Sequence, residues 1–119
     1  NIDIIQLGGV LRNSSVSAVG PYAEQMLDNF ACSKLFIGVD GIDIDYGLTT
    51  TNMMEASLNK VMIESVQKVI VLADSSKFGR KGFSKICDLT AVNQIITDDK
   101  IPDRIHRNIV DTGIEVSIV

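Results

Sequence analysis

Tryptophan is absent from this 119-residue sequence, and aromatic residues of every kind make up only 5% of it. A core built here has to rest on Ile, Val, Leu and Met, which suits parallel strands buried between helices. Histidine occurs once, at His106, and the two cysteines, Cys32 and Cys87, form no CxxC pair. So sparse a set does not predict a zinc site, and nothing in it calls for a metal or a cofactor. Two free thiols fit a reducing cytosol, with Cys32 and Cys87 as packing residues. No stretch reads as a signal peptide or a membrane span, so no membrane partner is expected. Lys and Arg number 11 against 15 Asp and Glu, a net charge of −4. That balance argues against nucleic-acid binding by this stretch of chain, because such modules carry a concentrated basic patch. The apolar fraction of 45% and charged fraction of 22% are those of a globular domain or a large piece of one.

Five short runs rich in Ile and Val predict strands: Ile2 to Leu7, Lys34 to Gly38, Lys68 to Ala73, Gln94 to Thr97 and Ile114 to Val119. Runs such as Val69-Ile70-Val71-Leu72-Ala73 do not alternate, so both faces of these strands are expected to be buried. Helical patterns lie between most of them. Pro21 stands at a first-turn position, followed by Tyr22, Met26, Leu27 and Phe30 at helical spacing. Asn52 and Glu55, three apart, fit a capping box, and Met54, Leu58, Val61, Met62 and Val66 then fall on one face as a core stripe. Pro102 opens a third helix with Ile105 and Ile109 inward, and Gly113 ends it. His106, among Arg104, Arg107 and Asn108, reads as an exposed surface histidine. Ser75 to Asn93 reads as loop with room for one short helix. Helices alternating with strands give an α/β fold with a mainly parallel sheet of about five strands flanked by helices.

In open parallel sheets, ligands bind beyond the carboxyl ends of the strands. Here those ends carry Gly8-Gly9 and Arg12, Asp40-Gly41-Ile42-Asp43, Asp74-Ser75-Ser76-Lys77, and Asp98-Asp99. Paired glycines let the backbone approach a bound group and aim N–H groups at it. Arg12 and Lys77 suit an anion, whereas Asp40 and Asp74 accept hydrogen bonds from hydroxyls. Together they fit a phosphorylated sugar. An Asp and a Lys so placed also fit a simple ion pair, and loops after strands are polar in most such folds. Gly8-Gly9 makes no GxGxxG, and GxxxxGK[ST] does not occur, so neither a dinucleotide nor a nucleoside-triphosphate site is expected.

An ordered series of segments runs nearly end to end: Leu7-Gly8-Gly9-x-x-Arg12, Val19-Gly20-Pro21, Phe36-Ile37-Gly38-Val39-Asp40-Gly41-Ile42, Gly47-Leu48-Thr49-Thr50, Glu55-Ala56, Ala73-Asp74-Ser75-Ser76-Lys77-Phe78-Gly79 and Ile95-Ile96-Thr97-Asp98. This series resembles the effector domain of DeoR-type repressors of sugar catabolism. Thr51-Asn52-Met53-x-Glu55-Ala56 and Ser84-Lys85-Ile86-Cys87 resemble its amino-sugar-regulator branch. The resemblance implies a fold similar to ribose-5-phosphate isomerase and a phosphorylated sugar as effector. Operator DNA would be bound by an N-terminal winged helix-turn-helix outside this sequence. Residues 1–119 would then be the C-terminal part of the effector domain, with its first strand and Asp-x-Gly-Thr-Thr loop preceding Asn1.

Asp40-Gly41-Ile42-Asp43 resembles the isomerase's Asp-Gly-Ala-Asp loop, and Asp74-Ser75-Ser76-Lys77 its Asp-x-Ser-Lys loop. With Gly8, Gly9 and Arg12, the expected ligand-binding residues are Asp40, Asp43, Asp74 and Lys77. Tyr46-Gly47-Leu48-Thr49-Thr50-Thr51-Asn52 stands where the isomerase has a Lys-Gly-Gly-Gly-like stretch, so no catalysis is expected. An aldose–ketose isomerase remains the alternative, with Glu55 as the one tempting base, although capping explains Glu55 better. A third reading is an oligomerisation domain with a vestigial pocket. Paired operator half-sites imply a homo-oligomer, and Ile114, Val116 and Ile118 alternating with Glu115 and Ser117 suit a strand at an edge or an interface.

Overall fold

The computed structural model describes residues 1–119. Four parallel strands make the central sheet: β3 (Cys32–Gly38), β6 (Val66–Leu72), β8 (Gln94–Thr97) and β9 (Glu115–Ile118), in that spatial order. Before them, β1 (Val10–Arg12) and β2 (Ser17–Val19) form a hairpin that leads into α1 (Pro21–Leu27). A three-stranded antiparallel sheet of β4 (Gly41–Asp43), β5 (Gly47–Thr50) and β7 (Ser84–Cys87) lies beside the central sheet. The helices α2 (Met53–Glu64) and α3 (Asp103–Asp111) complete the set.

The α/β class and the parallel central sheet agree with the sequence, with four strands in that sheet. Ile2 to Leu7 is not one of them. A strand exists only through a hydrogen-bonded neighbour, and none lies beside this segment, which leaves Ile2 87% exposed. The expectation that both faces of these strands are buried holds at Val69, Ile70 and Val71 but not across the whole sheet. Successive strands step in one direction, β3 to β6 to β8 to β9, and parallel crossovers are right-handed, so the connecting segments gather on one face. That face carries the row Ile37, Val71, Ile95 and Val116 across the four strands, the first three of them buried. On the other face Phe36 is 59% and Leu72 45% exposed.

The principal core holds 15 buried residues. It joins the sheet row to Ile42, Leu48 and Ile86 of the antiparallel sheet, Ala56 of α2 and Ile109 of α3. A separate cluster of Val19, Ala23, Leu27 and Leu58 fastens α1 to α2. Ala23 and Leu27 are therefore the inward residues of α1. Tyr22 and Phe30 are exposed and Met26 is half-buried, because α1 ends at Leu27 and offers only a narrow stripe to α2. Val66 belongs to β6 and not to the face of α2.

Local signals act where the sequence puts them. The Asn52 side chain accepts from the backbone N–H of Met54 and Glu55 at the start of α2. Pro102 precedes α3, and Gly113 follows it at φ 98°. Ile105 and Ile109 point into the core, and His106 is half-buried. The stretch from Ser75 to Asn93, expected as loop with room for one short helix, holds β7 between two single turns of 3₁₀-helix. Cys32 begins an edge strand and is exposed rather than packed. Cys87 is half-buried, and burial pushes its thiol up to about 11, so it stays protonated and unreactive at neutral pH.

Candidate functional site

A cleft of about 560 Å³ opens along the free edge of β3 and reaches the loops after β3 and β6. Its polar residues are Ser17, Asp40, Thr50, Glu55, Asn59, Asp74 and Lys77, and Phe36, Leu58, Met62 and Leu72 are among its apolar walls.

Asp40 follows β3 directly, so the sheet fixes its position. Its N–H donates to the Thr49 carbonyl at 3.0 Å. Its Oδ2 accepts from the Thr50 hydroxyl at 2.8 Å and from the Thr51 N–H at 3.2 Å. Oδ1 has no partner within the chain and remains free to accept from a ligand hydroxyl. Asp74 caps the single turn Ser75–Lys77 through the Ser76 N–H at 2.9 Å and the Ser76 hydroxyl. Those two bonds hold its carboxyl below the usual range, with Lys77 adding to the effect. Lys77 stands 3.9 Å from Asp74 Oδ2, too far for a hydrogen bond, so its three donors stay available. From the adjacent strand end, Asp98 accepts from the Ser75 N–H at 2.8 Å and pins the same turn. Backbone bonds from Ser75 and Lys100 lower the Asp98 carboxyl.

The fold thus brings Asp40, Asp74 and Lys77 into one cleft. The other expected site residues lie outside its walls. Gly8 and Gly9 precede the hairpin, and Gly9 packs against Val19 and Ala23, where a Cβ would come within 2.7 Å of the Val19 carbonyl. Asp43 caps its own turn by accepting from the N–H groups of Asp45 and Tyr46. Arg12 pairs with Glu55 at 2.8 Å.

Glu55 departs from its expected capping role. Only Asn52 caps α2, while the Glu55 carboxylate turns to the hairpin and accepts from Ser15 and Ser17 at 2.7 and 2.8 Å. Burial pushes the Glu55 carboxyl up, but the bonds from Ser15, Ser17 and Arg12 outweigh burial and hold it below its ordinary value. Stabilisation from a lowered carboxyl is complete above the ordinary value of 4.5 and is lost as pH falls through the lowered one. Glu55→Gln is therefore expected to cost roughly 1.5–3 kcal/mol at neutral pH. It should also flatten part of the acid-side loss of stability, which urea unfolding of both proteins from neutral to acid pH measures. An undiminished acid-side slope in the variant would mean that other carboxylates carry it.

The family described as "DeoR C terminal sensor domain" matches residues 1–99. The putative aga operon transcriptional repressor of Escherichia coli O157:H7 is 41% identical over 118 residues, which is 99% of this chain and 44% of that protein. The HTH-type transcriptional regulator YulB of Bacillus subtilis is 36% identical over 119 residues, 100% of this chain and 46% of the relative. The HTH-type transcriptional regulator GlpR of Haloferax volcanii is 35% identical over 109 residues, 92% of this chain and 43% of the relative. The chain spans less than half the length of each of these proteins.

Proposed function

Since the chain belongs to the DeoR C-terminal sensor domain family, we propose that it is the effector-binding part of a transcriptional regulator of sugar catabolism. Its effector is a phosphorylated sugar held in the β3-edge cleft. Lys77 meets the anionic end, and Asp40 and Asp74 accept from the sugar hydroxyls. One observation carries this reading: a cation without a hydrogen-bonded carboxylate lies in the same cleft as carboxylates pre-set as acceptors. The relatives are named as operon repressors and HTH-type regulators, which supports a sensor rather than an enzyme. The Glu55 carboxylate, the one candidate base, is already bonded to Arg12, Ser15 and Ser17. DNA contact falls to a helix-turn-helix domain in the intact, cytoplasmic regulator. Free strand edges at β3 and β9 suit association of that regulator with copies of itself.

A ligand can alter operator affinity only by binding two conformations unequally. The cleft loops follow two different strands, so a ligand touching both biases their relative position. Lys77→Ala should leave the fold and basal operator binding unchanged. It should weaken the effector response by about tenfold to a hundredfold, the loss of one charge-assisted hydrogen bond of ~1.5–3 kcal/mol. Operator-binding titrations of the intact regulator and its Lys77→Ala variant against a panel of sugar phosphates make the test. An unchanged half-effective concentration in the variant would remove Lys77 from the site.

A further inference from the structure

A second cleft of about 370 Å³ adjoins the first, lined by Asp40, Thr51, Arg80, Lys81 and Gly82 and by no apolar residue. Asp40 is common to both. The cations stand on a backbone that the antiparallel sheet holds in place. The Gly79 N–H donates to the Ile42 carbonyl at 2.8 Å, and the Gly82 N–H to the Thr49 hydroxyl at 2.7 Å. Between them, the Arg80 carbonyl lies so close to Gly41 that a Cβ there would come within 2.5 Å of it.

Neither cation is neutralised within the chain. The ion pairs are Arg12 with Glu55, Lys77 with Asp74 and Lys85 with Asp88. The Lys81 ammonium stands 5.5 Å from the centre of the Tyr46 ring, and Lys85, over the same ring at 5.0 Å, is the one that has a carboxylate. Asp40, the only acid in this cleft, is bonded to Thr50 and Thr51 instead. Cations on a mobile loop are normally solvated and idle. These two are exposed, but the backbone on either side of them is tied down, and both line a polar cleft that shares Asp40 with its neighbour. A guanidinium and an ammonium lining one cleft offer a forked and a point contact to a phosphate.

We propose that Arg80 and Lys81 form a second anion-binding subsite, across Asp40 from Lys77, that takes the second phosphate of a sugar bisphosphate. The subsite stands on its own geometry. The ligand class rests on the sugar-phosphate reading of the first cleft.

Inorganic phosphate tests the subsite by itself. In an amide NMR titration of the protein, Thr51, Arg80 and Lys81 should shift and saturate. Lys77→Ala should leave those shifts in place, and the double variant Arg80→Ala, Lys81→Ala should abolish them. Wild-type amides that do not saturate, or shifts that persist in the double variant, overturn the subsite. For the ligand class, calorimetry compares fructose 1,6-bisphosphate with fructose 6-phosphate. The bisphosphate should bind at least about tenfold tighter, ~1.4 kcal/mol, and the double variant should remove that advantage while leaving the monophosphate unaffected. Equal wild-type affinities, or equal losses for both ligands, overturn it. Failure of the sugar-phosphate reading has a different signature: neither sugar binds and phosphate leaves Lys77 unshifted, while the result at Arg80 and Lys81 stands separately.

Discussion

Gly47→Ala is expected to destabilise the protein by about 2–6 kcal/mol, combining positive-φ strain of about 1–3 with a steric clash of about 1–3. Gly47 opens β5 at φ 106°, and a Cβ there would lie 2.1 Å from the Cys87 carbonyl and 3.0 Å from the Asp88 Cα. Both obstacles are backbone, at the end of β7 and the residue just after it, so β5 and β7 have to separate to admit a methyl group. Gly113→Ala isolates the strain, since Gly113 has a similar φ of 98° and nothing within 4 Å of an added Cβ. Urea unfolding of the two variants should place Gly47→Ala well below Gly113→Ala. Equal losses would mean that the clash is relieved at no cost. The effect reaches the cleft, because the far end of β5 supplies the Thr50 hydroxyl that holds Asp40. Gly47→Ala should therefore lower ligand affinity as well, although residue 47 lines neither cleft.

The second large effect is expected from Ile95→Ala, at about 2–5 kcal/mol for a fully buried aliphatic side chain cut back to a methyl. Ile95 is inaccessible to solvent and stands in register with Val71 on one side and Val116 on the other. Strands on both sides and elements packed above leave little room for collapse around the hole. For a chain this size each kcal/mol lowers the melting temperature by about 4 °C, so the variant should melt well below wild type by circular dichroism. Phe83→Ser is the control: Phe83 is 78% exposed, and its loss should change stability by less than about 0.5 kcal/mol. A small loss at Ile95 would show that the core relaxes into the space.

Chain-local features of this fold were legible in the residues. Asn52, Pro21, Pro102 and Gly113 act within one turn of themselves, and each does in the structure what its chemistry predicts. Val69 to Leu72 and Gln94 to Thr97 form strands because unbroken β-branched runs have few other ways to be buried. The antiparallel sheet was not legible. Its strands Gly41–Asp43 and Gly47–Thr50 are short and rich in Gly and Thr, and their hairpin is completed as a sheet only by the more distant Ser84–Cys87. Ile2 to Leu7 has the composition of a strand, but composition does not supply the neighbour that makes one.

The cleft was legible in the same uneven way. Asp40, Asp74 and Lys77 line it together because each follows a strand, and the ends of parallel strands converge. Asp43 sits in the same loop as Asp40 but turns to its own backbone, a choice made by the geometry of residues 43–46. The role of Glu55 was hidden because its partners Arg12, Ser15 and Ser17 are far away in sequence and carry no local mark of the pairing. Three residues after Asn52, Glu55 also matched a capping motif.

That same pairing, with the small cluster beneath it, divides the molecule into units of unequal permanence. The hairpin and α1 are held to the rest by Val19, Ala23, Leu27 and Leu58, by the bonds of Glu55 and by the Ser57 hydroxyl donating to Glu24, apart from the 15-residue core. Regions with few buried contacts open by partial excursions that leave the remainder folded. The first thirty or so residues are thus the part of the fold expected to open while the central sheet stays intact. Ser17 and Val19 line the β3-edge cleft, so each such excursion removes one of its walls.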